Sequence, residues 1–162
     1  MHNLKLNFYL KIIFLVSLIA IISAYFIEYV LGHQPCNLCI IERIPFGLSI
    51  ILIVLTYIFK KNEKFIIFLL ILTFSSSVLI SFYHFGIEQG FFEESGVCGI
   101  QNSSNIISKD ELLKQLQVKT VNCKDVTFRI FGLSLTTFNM LISLIITIFL
   151  TKIIKNYEKF KS

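Results

Sequence analysis

Four stretches of the chain, 8–31, 40–59, 65–85 and 130–151, are almost wholly apolar, and each is near the roughly 20 residues a helix needs to cross the hydrocarbon of a bilayer. The third and fourth contain no Asp, Glu, Lys or Arg. The second is the least regular, because Glu42 and Arg43 fall in its first turn. A mean hydropathy of +0.77 with 55% hydrophobic residues lies well above a soluble globular average. The expected fold is an all-α membrane protein, one integral membrane domain over 1–162, built as a four-transmembrane-helix bundle with outer loops at about 32–39 and 86–129.

Lysines and arginines near the spans set the expected orientation. Lys5 and Lys11 precede span one, Lys60, Lys61 and Lys64 fill the turn between spans two and three, and Lys152, Lys155, Lys159 and Lys161 follow span four, nine on one face. The opposite face receives Arg43, Lys109, Lys114, Lys119, Lys124 and Arg129, six spread over far more sequence and balanced by acids. Both termini are therefore expected in the cytoplasm, and the net charge of +5 mostly records that topology without calling for nucleic acid. The first apolar run is longer than the ~7–15 residues of a signal-peptide core and lacks a well-placed small-x-small pair, so it is expected to remain a span. This orientation puts all four cysteines, Cys36, Cys39, Cys98 and Cys123, on the outer side, which in a bacterium is oxidising.

The densest chemistry is Pro35-Cys36-Asn37-Leu38-Cys39, with Arg43 four residues further on. Two cysteines at this spacing can close a disulfide, hold half a metal site or cycle between dithiol and disulfide. Cys98 and Cys123 are far apart and form no second CxxC, which disfavours a four-cysteine zinc site, and no metal is expected. Pro35 blocks helix before Cys36, so span two is expected to start close to Cys39, where helix amides and Arg43 at i+4 both favour a thiolate. Cys39 then reads as the nucleophile or charge-transfer partner, and Cys36 as the more exposed end of the pair. Pro45 predicts a kink or a late helix start beside the thiols.

Other polar residues divide between packing and chemistry. Glu28, near the outer end of span one, reads as an interfacial carboxylate or as a charge near the thiols. Ser75, Ser76 and Ser77 permit close helix approach, and Asn139 predicts a hydrogen bond to a neighbouring helix. Tyr83-His84-Phe85-Gly86-Ile87-Glu88 sets a histidine and a carboxylate four apart at the membrane boundary, where His84 is either an interfacial polar group or a partner for a ligand beside the headgroups. The loop 86–129 is too long for a passive connector. Within it Ser108-Lys109-Asp110-Glu111 has the form of a capping box and predicts a short amphipathic helix over about 109–117. A bond between Cys98 and Cys123 would close a loop of about 25 residues and restrain it by a few kcal/mol.

Taken together, these residues resemble the disulfide bond formation protein B (DsbB) family, four-helix inner-membrane thiol oxidoreductases that pass electrons to a quinone. The resemblance covers nearly the whole chain and rests on order and spacing: Pro35-Cys36-x-x-Cys39 with Arg43, Tyr83-His84-x-Gly86-x-Glu88, the Cys98 and Cys123 pair, and Arg129-x-Phe131-Gly132-Leu133-Ser134 with Asn139 in span four. It implies that Cys98 and Cys123 exchange with a periplasmic, DsbA-like thioredoxin-fold oxidant, Cys98 being the sulfur attacked. Electrons would then move to a Cys36/Cys39 disulfide. Cys39, next to Arg43, would donate to ubiquinone or menaquinone, with His84 near the quinone head. Glu88 matches the motif without a defined role.

Two other readings compete. A vitamin K epoxide reductase-like enzyme is also a small helical bundle with one CxxC and one loop pair, but its CxxC comes late in the chain, whereas here it comes first. A structural or assembly membrane protein stapled by two inert disulfides is the alternative from outside enzymology.

Overall fold

The computed structural model describes residues 3–59, 62–93, 98, 123–124, 129–130 and 132–155. The helix expected over 109–117 lies outside them. Among the described residues, four helical spans long and apolar enough to cross a membrane carry the fold, as the four apolar runs require. The first is α1 (Asn3–Tyr29), a run without glycine or proline that ends as the chain turns at Gly32, φ +72.

The second span is made of two pieces, α2 (Asn37–Ile41) and α3 (Arg43–Ile58). Helix begins two residues before Cys39, with Cys36 in extended backbone (φ −73, ψ 167) as its N-cap. The distortion expected from Pro45 falls one turn earlier, at Glu42. Pro45 has no N–H for the Ile41 carbonyl, and its ring crowds that oxygen, so the ladder is interrupted between the two pieces.

Helix α4 (Glu63–Glu88) runs past the expected end at 85 and carries His84 and Glu88 on one face. It closes in a Schellman motif: Phe91 N–H donates to the Gly86 carbonyl (2.8 Å), Gly90 N–H donates to the Ile87 carbonyl (3.0 Å), and Gly90 takes φ +78.

The expected start of span four at 130 is wrong by five residues. Arg129–Ile130 (β1) pairs antiparallel with Leu133–Ser134 (β2), Arg129 opposite Ser134, with Gly132 at φ +82 in the turn. That left-handed residue excludes helix there, and α5 (Leu135–Lys155) follows, with the Thr137 N–H donating to Ser134 Oγ at 3.3 Å.

The spans pack in a row, α1 on α3, α3 on α4 and α4 on α5. At the end away from the cysteines the row closes on itself. Leu6, Leu10 and Ile13 of α1, at helical spacing, share one core with Ile53, Ile67, Leu70 and Phe74 and with Ile146, Leu150 and Ile153 of α5. Tyr9 and Phe149 meet there with ring centroids 6.4 Å apart. Buried hydroxyls join neighbours, Ser49 to Ser17 at 2.9 Å and Ser77 to Ser143 at 2.9 Å, so of the three central serines in α4 it is Ser77 that links helices. Phe8, Leu15, Ile22, Leu79 and Phe149 point outward and are exposed, as a lipid-facing surface requires. Toward the cysteine end α1 and α5 diverge.

Candidate active site: two cysteine pairs beside an apolar cavity

Pro35 delivers Cys36 to the start of α2, and the Cys39 backbone N–H donates to Cys36 Sγ at 3.3 Å. The sulfur thus serves as the helix cap, a place where exposed amides favour negative charge. Cys36 Sγ lies 2.8 Å from Cys39 Sγ and 3.5 Å from His84 Nε2. The hydrogen bond from Cys39, aided by His84, lowers the Cys36 thiol from its ordinary 9.0 to about 4 against the opposing effect of burial. Two expectations are therefore corrected. Cys36, at 5% exposure, is the buried member and Cys39 the half-buried one. The helix amide reaches Cys36, because the helix starts early enough to make Cys36 the cap.

Arg43 lines the same cavity as Cys39. Its guanidinium pairs with the Glu28 carboxylate on α1 and lies 5.0 Å from the Tyr25 ring centroid, tying α3 to α1 at the edge of the site. Glu28 is thus the ion-pair partner of an arginine that lines the cavity.

Behind Cys36 runs a chain of buried polar groups. His84, 1% exposed, donates from Nδ1 to Glu42 Oε1 at 2.9 Å. Glu42 Oε2 accepts from Asn139 Nδ2 at 2.8 Å, and Asn139 also donates to Ser81 Oγ at 3.0 Å. With Nδ1 committed to Glu42, Nε2 is the nitrogen that exchanges a proton with Cys36 Sγ. Thr136 Oγ1 stands 3.2 Å from His84 Nδ1 and donates to Glu88 Oε1 at 2.7 Å. Thiol, imidazole and carboxylate therefore line up in hydrogen-bonded order, the arrangement by which a base activates a sulfur.

Glu42 is the functional residue that sequence reasoning missed. In the sequence it reads as a charge that weakens span two, yet an ionisable group inside an apolar run is by itself a sign of a site. Thr136 carried no comparable signal. Asn139 does bond to a neighbouring helix, as expected, and its other partner is the site carboxylate.

Cys98 and Cys123 are joined in a disulfide, Cα atoms 5.5 Å apart. Both are buried in one cluster with Cys36, Leu38 and Ile87, against which Cys39, Ile41 and Tyr83 pack. The fold therefore brings all four cysteines to one place. Where α1 and α5 diverge, a cavity of about 390 Å³ opens next to them. Ile19, Ala20, Ile27, Phe138 and Ile142 form its apolar walls, and Cys36, Cys39, Arg43, His84, Glu88 and Cys123 stand at its polar end. Its size and its mix of apolar walls with a few convergent polar groups suit a small amphiphilic ligand.

The sequence matches the protein-family model described as Disulfide bond formation protein DsbB over residues 7–153. It is also 30% identical over 142 residues to an uncharacterized protein, RP370, of Rickettsia prowazekii (strain Madrid E), an alignment that covers 83% of this chain and 80% of that one.

Proposed function

Because the chain belongs to the DsbB family of disulfide bond formation proteins, we propose that this multi-pass membrane protein is a quinone-dependent protein-thiol oxidase, which reoxidises a DsbA-like thioredoxin-fold protein in the periplasm. The observation that carries this reading is the placement of the Cys98–Cys123 disulfide in the same buried cluster as Cys36, with Cys39 half-open at the polar end of an apolar cavity. Two inert staples would have no need of contact with each other, nor of a polar relay behind one sulfur. The lysine asymmetry agrees with both termini in the cytoplasm of a bacterial inner membrane and the cysteines outside.

The electrons balance through two exchanges. A partner thiolate attacks Cys98 Sγ and the Cys98–Cys123 bond breaks, leaving Cys123 as thiolate. The partner's second thiol displaces Cys98 and closes the partner's disulfide. Cys123 then attacks Cys36 Sγ of an oxidised Cys36–Cys39 pair, and Cys39 leaves as thiolate at the cavity. Cys98 closes on Cys123, returning Cys36 as a thiolate that the helix amide and His84 stabilise. A quinone, when bound, accepts the two electrons of the Cys36/Cys39 pair with two protons and restores that disulfide. The cavity fits such a group: its apolar walls match a ring, and Arg43, His84 and Cys39 at one end match the ring oxygens. Glu42, held by Asn139, keeps His84 Nε2 directed at Cys36, where it holds or returns the thiol proton.

The test is quinone reduction, followed by absorbance, on adding a reduced thioredoxin-fold partner to the detergent-purified protein. Cys39→Ala and Cys98→Ala should each abolish turnover, and Arg43→Ala should mainly raise the KM for quinone. Full turnover by Cys39→Ala would sink the relay. Resistance of both disulfides to the partner's dithiol would point to the structural alternative.

A further inference from the structure

Glu88 has no part in the thiol relay, yet its side chain is only 6% exposed and its Oε2 has no hydrogen-bond partner. A carboxylate oxygen so far from water is costly unless an ion or a donor joins it. Beside it, among the described residues, the sulfurs of Cys36 and Cys39 and a ring nitrogen of His84 form one set of potential ligands, all within 4.8 Å of one another. We propose that the reduced Cys36/Cys39 pair, His84 Nε2 and the Glu88 carboxylate form a Zn2+ site that exists only in the dithiol state, so that zinc arrests the protein in its reduced form. The binding claim stands on geometry alone, whereas the arrest rests on the thiol-oxidase reading.

The distances favour a tetrahedral ion. Zinc bonds of about 2.3 Å to sulfur and about 2.0–2.1 Å to nitrogen place those two ligands about 3.5 Å apart. The Cys36 Sγ to His84 Nε2 distance is 3.5 Å. Glu88 Oε1 lies 3.8 Å from the same nitrogen, outside the 4.8 Å set of the other three ligands, and rotation of its side chain toward the sulfurs is needed to bring a carboxylate oxygen to the fourth corner. The two sulfurs, now 2.8 Å apart, must part by about 1 Å, which a torsion of the half-buried Cys39 supplies.

The surroundings already resemble the outer shell of a metal site. His84 Nδ1 donates to Glu42, whose second oxygen is fixed by Asn139, so Nε2 is held facing the sulfur. Two thiolates, an imidazole and a carboxylate select zinc over magnesium or calcium. Zinc held by four cysteines is disfavoured, because Cys98 and Cys123 lack paired spacing. Here Cys98 and Cys123 are bonded to each other, and a histidine and a glutamate take their places. Binding releases the remaining thiol protons to solvent and so weakens as pH falls. Oxidation of Cys36 and Cys39 removes two ligands and empties the site.

The test is titration of the full-length, detergent-held protein with Co2+, read by its thiolate charge-transfer absorption, and back-titration with Zn2+ monitored by metal analysis. The reduced protein should bind one equivalent, the fully oxidised protein none, and a Cys98→Ser/Cys123→Ser variant one. Glu42→Gln, which keeps every ligand, should weaken binding about ten- to a hundredfold. His84→Ala should weaken it further, and Glu88→Gln should change the cobalt spectrum. Helix content of each variant separates lost binding from lost folding. Absence of binding to the reduced protein, or unchanged affinity and spectrum in both His84→Ala and Glu88→Gln, would overturn the site. Zinc binding without arrest of a demonstrated thiol oxidase would overturn the arrest alone. Failure to detect quinone turnover in any form leaves the cobalt result standing and counts against the function instead.

Discussion

Glu42 connects three spans through two oxygens. It sits between α2 and α3, accepts from His84 on α4 and from Asn139 on α5, and is 6% exposed. Such a carboxylate is tolerable in an apolar bundle only because both oxygens are bonded, so removing one donor leaves a buried charge unpaired. Its consequence for chemistry is read at Cys36. In the Cys98→Ser/Cys123→Ser background, whose remaining thiols are Cys36 and Cys39, ultraviolet thiolate absorbance of the reduced protein should show a first midpoint of about 4, well below the ordinary 9.0. Because the folded pKa is the lower one, the thiolate's contribution to stability is full above the ordinary value, shrinks as pH falls and is gone below about 4. His84→Ala should move the midpoint upward by removing both a hydrogen bond and a charge. A midpoint at the ordinary thiol value in the unaltered pair would refute this account.

Among the elements, the end of α4 is set by backbone chemistry. The Schellman turn at Gly90 folds Phe92 back over Gly86, and the Phe92 ring stacks on Tyr83 with centroids 5.7 Å apart. A Cβ at residue 86 would run into that ring. Gly86→Ala should therefore destabilise the protein by about 1–3 kcal/mol through overpacking. Combined with Phe92→Ala the two losses should not add, as detergent-phase thermal unfolding of the double-mutant cycle would reveal. Strict additivity would mean that the contact is not formed. The same region shows what sequence can and cannot convey. The i,i+4 spacing of His84 and Glu88 was readable as one helix face, since it needs nothing beyond the periodicity of α4. The β1–β2 hairpin was not, because Gly132 among Leu, Ser and Phe looks like a small packing residue until its φ of +82 is known. The early start of α2 was hidden similarly. Pro35 fixes where helix cannot be, while the first helical residue depends on Cys36 acting as a cap.

For the whole molecule, the four apolar runs of near-spanning length made the bundle legible, since lipid leaves such segments few alternatives. The meeting of the two cysteine pairs was not legible. It depends on how the segment bearing Cys98 and Cys123 returns to the start of α2, a long-range packing matter that periodicity does not encode. The row of helices is pinched shut at one end by Leu6, Leu10, Ile146, Leu150 and the Tyr9–Phe149 contact, and parted at the other. The cavity is consequently a blind slot, and a long substituent on anything seated at its polar end has to leave sideways into lipid. Such a slot can inspect a ring but has no means of measuring a tail. Quinones that share a head group but differ in isoprenoid length should be turned over with the same kcat, once their partition into the detergent phase is matched. A sharp optimum in chain length would mean that the slot extends through the pinch.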